Sequence, residues 1–288
     1  MSEDFDTLWD YGDPQATAVK FRDLLPAAEV SGDRSYYVQL LTQLARTQSL
    51  QRKFDEAHAL LDTAQRAMEG QALPVAEIRY LLERGRTFNS AGDKERSVPL
   101  FAEAYEKAIV HREDFYAIDA AHMLGIAAAP PDQLDWNIKA VALAEKTSDA
   151  RAKKWMGSLY NNIGWTYHDQ QDYTTALTFF SKSLAWRIEQ QDERGAFIAK
   201  WTIGRTYRSL QRIDEALALQ QALWDEIQQK GLEASGYVFE ELGECLWLKG
   251  RGEEAREYFR RAEEILSKDG WLVANEGARL RRLKDLGA

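Results

Sequence analysis

The side chains able to do chemistry are few and scattered. Cys245 is the single cysteine, so no internal disulfide and no cysteine-based metal cluster is possible. It falls two residues after Gly243 in an apolar stretch, where a small buried thiol is the simplest reading. His122 and His168, with no further ligand in pattern, are too few to define a metal site. No Gly-rich phosphate loop, Gly-x-Ser-x-Gly elbow or His-Glu-x-x-His pair occurs. Carboxylates fall in runs such as Glu253-Glu254 and Glu263-Glu264, which read as solvated helix faces. The sequence therefore predicts neither an enzyme nor a cofactor. Tryptophan is the abundant special residue, with nine copies. With arginine, it is the residue type most enriched at protein-binding hot spots.

The elements that would position such residues must be stable ones. The chain has 288 residues, of which 45% are hydrophobic and 29% charged, a balance that folds rather than staying disordered. Its formal charge of -9 argues against nucleic acid and anionic membranes as partners. The start, Met-Ser-Glu-Asp-Phe-Asp, lacks the basic and apolar blocks of a signal peptide. The most apolar stretch, Ala117 to Ala129, contains Asp119 and His122 and is too short to span a bilayer. A cytoplasmic protein, monomeric or weakly dimeric, is expected.

Small residues recur along the chain. One column reads Ala57, Ser97, Ala140, Ala176, Ala216 and Ala255, at spacings of 40, 43, 36, 40 and 39. A second, Ala45, Gly85, Gly164, Gly204 and Gly243, lies twelve residues before its partners in the first. Large residues follow each column: Phe88, Tyr167, Tyr207 and Leu246 after the glycines, Leu61, Phe101, Phe180 and Phe259 after the small residues. A helical glycine costs about 1 kcal/mol relative to alanine, so its repetition at one phase needs a compensating contact. Close approach of two antiparallel helices, glycine against alanine, supplies one. Turn-like punctuation at Ala91-Gly92-Asp93, Gln170-Gln171-Asp172 and Gly250-Arg251-Gly252 separates the helices, and no run alternates as a strand would.

Three copies carry a familiar pattern: Ile163-Gly164-Trp165-Thr166-Tyr167 with Tyr173 and Ala176, Ile203-Gly204-Arg205-Thr206-Tyr207 with Ala216, and Leu242-Gly243 with Ala255, Phe259 and Ala262. They resemble the tetratricopeptide repeat. The resemblance implies an all-α, right-handed superhelical solenoid of antiparallel helix pairs. Six pairs are expected, at about 34–70, 71–111, 112–148, 149–191, 192–230 and 231–267, with a capping segment at 1–33 and a capping helix at 268–288. The period is near 40 rather than the usual 34, as in the long-repeat members found in kinesin light chains and bacterial peptide-receptor regulators. The third repeat looks degenerate: Ala121 pairs with Ala140, and Pro130-Pro131 should end its first helix and leave a longer loop. Pro26 should kink or shorten the first helix, and Trp271 to Leu286 should form one final helix with Arg279, Arg281, Arg282 and Lys284 facing solvent.

In this architecture the first helix of each pair lines a concave groove. Positions three before, one after and four after the glycine column share one helical stripe. Among those stripe positions are Arg46, Arg86, Asn89, His122, Asn161, Trp165, His168, Trp201, Arg205, Arg208, Glu244 and Trp247. The expected function is a scaffold that grips a protein or peptide segment with acidic and apolar side chains. The alternative reading pairs the arginines with nearby glutamates and packs the tryptophans between repeats. A regulatory receptor for a small signalling peptide or ligand, and a self-assembling structural protein, are the alternatives.

Overall fold

A computed structural model describes residues 4–288. These residues are 82% helical and contain no strand. After a single 3₁₀ turn, Phe5–Leu8, comes α1 (Pro14–Val30). Helix pairs follow: α2 (Arg34–Leu50) with α3 (Phe54–Met68), α4 (Pro74–Ser90) with α5 (Lys94–His111), and α6 (Asp114–Ala127) with α7 (Pro130–Lys146). The short α8 (Ala150–Lys153) leads into α9 (Met156–Asp169), which precedes α10 (Tyr173–Glu189). Then come α11 (Glu193–Ser209) with α12 (Ile213–Lys230), α13 (Gly236–Leu248) with α14 (Gly252–Leu266), and the closing α15 (Gly270–Asn275) and α16 (Gly277–Gly287).

The turns explain why the helices stop and restart. Asp33, Asp93, Asp172 and Asp192 each sit at a helix N-cap and accept the backbone N–H three residues on, which satisfies a donor the helix cannot. The residue before each cap takes the left-handed step that breaks the preceding helix. Glycine does this at Gly32 and Gly92, whereas Gln171 and Gln191 bear the same positive φ.

Two compact units divide the chain, one ending at Asn162 and the other running Ile163–Ala288. In the first, Phe21 packs with Leu40 and Leu44, and Phe101 with Ile78, Leu82 and Leu124. In the second, Phe180 packs with Ala176 and Ile203, and Phe239 and Phe259 with Leu242, Leu266 and Leu283. Each such side chain, once buried, contributes about 1.5–3 kcal/mol.

The contact behind the glycines differs from the glycine–alanine approach expected. A Cβ on Gly164 would stand 2.5 Å from the ring of Phe180, and one on Gly85 or Gly243 would meet Phe101 or Phe259 at 2.6 and 2.8 Å. The glycine makes room for the aromatic ring four residues beyond the alanine. The third repeat also keeps the common phase. Gly125 faces the Asn137 side chain, twelve residues on, so the columns run 45, 85, 125, 164, 204, 243 and 57, 97, 137, 176, 216, 255. Ala121 and Ala140 are fully buried but are not this pair. Alanine is so frequent in α6 that small residues there do not mark the phase.

No long loop separates α6 from α7, because Pro130 opens the second helix at its first turn, where its missing N–H costs nothing. Helix α1 runs through Pro26 to Val30, and the carbonyl of Arg22 that loses its partner lies on an exposed stretch. The C-terminal segment is two helices rather than one, broken at Glu276 with φ -124°.

Candidate functional site: the first-helix faces

In the second unit, the first helices α9, α11 and α13 and the closing α16 present one row of aromatic and charged residues. Trp165 and Trp201 lie with ring centroids 6.1 Å apart. The Arg205 guanidinium sits 5.8 Å from the first ring and 5.9 Å from the second, within cation–π range of both. Trp201 donates its indole N–H to the Tyr237 carbonyl at 3.1 Å, which fixes the ring. His168 packs edge-on to Trp165 at 5.1 Å, and its Nε2 lies 3.0 Å from Ser209 Oγ. Burial and then the Arg205 charge hold its imidazole below the usual histidine range.

The arginines of this row are not free cations. Arg205 donates to Glu241 at 2.9 Å, and Arg208 donates to both oxygens of the same carboxylate at 2.7 and 2.8 Å. The Glu241 side chain is 1% exposed. Burial opposes the charge on Arg208, but Glu241 outweighs it and raises the guanidinium above its ordinary value. Glu240 pairs with Arg279 and Glu244 with Arg282, so these two arginines of α16 fold onto α13 instead of pointing only to solvent. Arg281 and Lys284 do face solvent. The locally basic groove expected from the stripe is thus neutralised by buried glutamates.

The structure brings together Trp165, His168, Trp201, Arg205 and Arg208, with Glu244 at the α16 side. Trp247 stands apart at the end of α13, 47% exposed, beside Gly252, the first residue of α14.

In the first unit, Arg46, Arg86 and His122 form a second cluster. Arg86 is buried between Glu83, at 2.6 Å, and Asp119. Arg46 approaches Glu83 at 3.7 Å, and burial, only partly offset by Glu83, lowers its pKa. Asn162 Nδ2 lies 3.1 Å from His122 Nδ1, and the ring packs on Trp155 at 4.7 Å. Burial and the Arg86 charge push His122 down to about 4, so it is neutral near neutral pH. Asn89 is half-buried with its Oδ1 unpaired, and Asn161 is half-buried one position before Asn162.

Stripe reading missed the carboxylates. Glu83 and Glu241 occupy the same register, two residues before Gly85 and Gly243, and each meets an arginine one residue after the small column of the preceding pair, Arg46 or Arg205. A glutamate on the buried side of a first helix was the available signal. Arg79 and Asp6 were missed as well. Among the described residues, no group of three or more His, Cys, Asp or Glu side chains is arranged to hold a metal. No helix there is long and apolar enough to cross a membrane.

Part of the chain matches known repeat families, and solved structures share its fold. Two family models described as tetratricopeptide repeat match residues 155–223 and 202–269, from α9 through α14. A signal transduction ATPase with numerous domains from Pyrococcus horikoshii, which has a tetratricopeptide repeat sensor, is similar at a TM-score of 0.67 and 15% identity. The match covers 94% of this chain but 42% of that one, so the chain spans less than half of that relative's length. A tetratricopeptide repeat protein from Parabacteroides merdae matches at 0.60 and 15% identity, covering 98% and 95% of the two chains. The apo form of RapI matches at 0.64 and 14% identity, covering 92% and 76%. None of the curated proteins matches in sequence. The fold is an all-α array of tetratricopeptide-type helix pairs.

Proposed function

We propose that the protein is a non-catalytic cytoplasmic scaffold, monomeric or weakly dimeric, that binds a protein partner through the first-helix face of its second unit. One observation carries the reading: Trp165, Arg205 and Trp201 form a half-exposed row whose charge is already satisfied by Glu241. A partner covering this row gains aromatic area without stripping water from an unpaired cation, and such aromatic and arginine anchors dominate binding energy elsewhere. The neutralised charge favours an apolar or aromatic partner segment over a strongly acidic one. The regular columns support reading the helices as six long repeats of 39 or 40 residues. Trp247 belongs to this reading only as a flanking position, and Asn89 and Asn161, which fall in the first unit, lie outside it.

Affinity capture from a lysate of the native cell tests the reading. Wild-type protein is compared with Trp165→Ala/Trp201→Ala and with Trp165→Phe/Trp201→Phe, which keeps most of the packing. A partner retained by wild type and depleted by both variants is the expected result. An identical set of captured proteins for all three overturns the reading.

A further inference from the structure

The first-helix face of the first unit already has an occupant. Residues 4–13 run over α2 and α4. Phe5 is buried against Tyr36 and Phe21, with ring centroids at 5.3 and 6.1 Å. The Arg79 guanidinium lies 5.1 Å from the Phe5 ring and donates to both oxygens of Asp6, at 2.6 and 3.1 Å. Further on, Trp9 donates to Gln43 at 3.0 Å, and its ring stacks on Tyr11 at 4.6 Å.

Charge shows what this seat is built for. Arg86 has Glu83 on its own helix and Asp119 on α6, and Arg46 approaches Glu83 of α4, but the carboxylate ion-paired with Arg79 comes from the segment. The Arg79 side chain is 10% exposed, and a cation so buried requires an anion. On the helices it has one hydrogen-bond acceptor, the Gln39 amide oxygen at 3.3 Å, with the Tyr116 ring at 5.8 Å and the more distant charge of Glu83, none of them a carboxylate paired with Arg79. The seat therefore selects an aromatic residue followed by a carboxylate. Its present occupant is only partly covered: Phe5 is buried, but the Asp6 side chain is 40% exposed and Tyr11 65%. An open cleft of about 400 Å³ beside Asp6 and Arg79, lined also by Tyr116 and Arg151, leaves room for further chain.

We propose that the face formed by α2 and α4 is a second docking site, for a partner-protein segment in which an aromatic residue precedes an aspartate or glutamate, and that residues 4–13 hold the site as an exchangeable surrogate. This site lies in a different unit from the tryptophan row and goes beyond the function proposed above. The tether raises the local concentration of the surrogate to roughly the millimolar range, so a partner must compete with it.

The probe is a fluorescent peptide with the sequence of residues 4–13, titrated by anisotropy into the full chain. The variant Phe5→Ala/Asp6→Asn, which releases the tethered segment, should bind the peptide at least about tenfold more tightly than wild type does. A peptide carrying Asn in place of Asp6 should bind the released variant at least about tenfold more weakly, a readout that leaves the protein's folding untouched. The variant Trp165→Phe/Trp201→Phe combined with the release should bind the peptide unchanged, which separates this site from the tryptophan row. Equal affinity of wild type and released variant, or equal binding of the Asn peptide, overturns the proposal. Concentration-dependent dimerisation of the released variant would assign the seat to a second copy of the chain and overturn the assignment to a partner protein.

Discussion

The ring of Phe180 occupies the space that a side chain on Gly164 would need. Replacing Gly164 with alanine gains about 1 kcal/mol of helix propensity but forces a fully buried ring to move. Overpacking of this kind costs about 1–3 kcal/mol. At Gly204 the neighbour is the tip of Gln220, whose amide nitrogen would be 2.5 Å away but ends a flexible chain. Urea unfolding should show Gly164→Ala clearly destabilised and Gly204→Ala affected less. The opposite ranking would refute the packing account.

Glu241 binds two arginines from one buried position. Glu241→Ala strands both cations at a partly buried face and should cost about 2–4 kcal/mol, whereas Glu241→Gln retains hydrogen-bond acceptance and should cost less. Because Arg205 and Arg208 share the carboxylate, their alanine substitutions should be non-additive in a double-mutant cycle. Simple additivity would show that the shared carboxylate does not couple them.

His122 makes stability depend on pH. Its folded pKa, about 4, lies below the value near 6.5 of an unfolded histidine. Between these values the unfolded chain holds the proton and the native chain does not, so stability is full above about pH 6.5 and falls as pH drops toward 4. Burial shifts His58 and His168 in the same direction, and they contribute in the same sense. His122→Gln should therefore flatten the urea-midpoint profile in that window without making it level. A profile parallel to wild type would remove His122 from the account.

Cys245 is fully buried in α13, and burial, with Glu241 next in weight, pushes its thiol up to about 12. The thiolate is the reactive form, so a thiol-specific reagent should react about a hundredfold more slowly with native than with urea-unfolded protein. Rapid native labelling would contradict that burial.

The helical class was legible because small residues recur at spacings near 40 and the caps are aspartates before regular helices. That Trp165, Trp201 and Arg205 share a first-helix stripe followed from helical periodicity counted from the glycine column, with the tetratricopeptide resemblance naming the face. The charge state of that stripe was not. Glu241 lies 36 residues from Arg205, and nothing in either helix says that they meet. The phase of the third repeat was hidden because α6 is rich in alanine and Asn137 stands where the other pairs carry Ala or Ser, or at Ala216 alanine again. The pairing of Asp6 with Arg79 was beyond reach, since residues 4–13 follow no repeat register.

That last pair has a temporal side. Asp6 precedes Arg79 by 73 positions, and Arg79 in turn lies 5.8 Å from the ring of Tyr116. On a ribosome, Phe5 and Asp6 emerge before most of their seat has been translated, because chains are made from the N-terminus onward. Phe5 and Trp9 find their partners on α1 and α2, but Asp6 has no Arg79 to pair with until α4 has followed. In this ion pair the side chain made first is thus the one that waits for its partner.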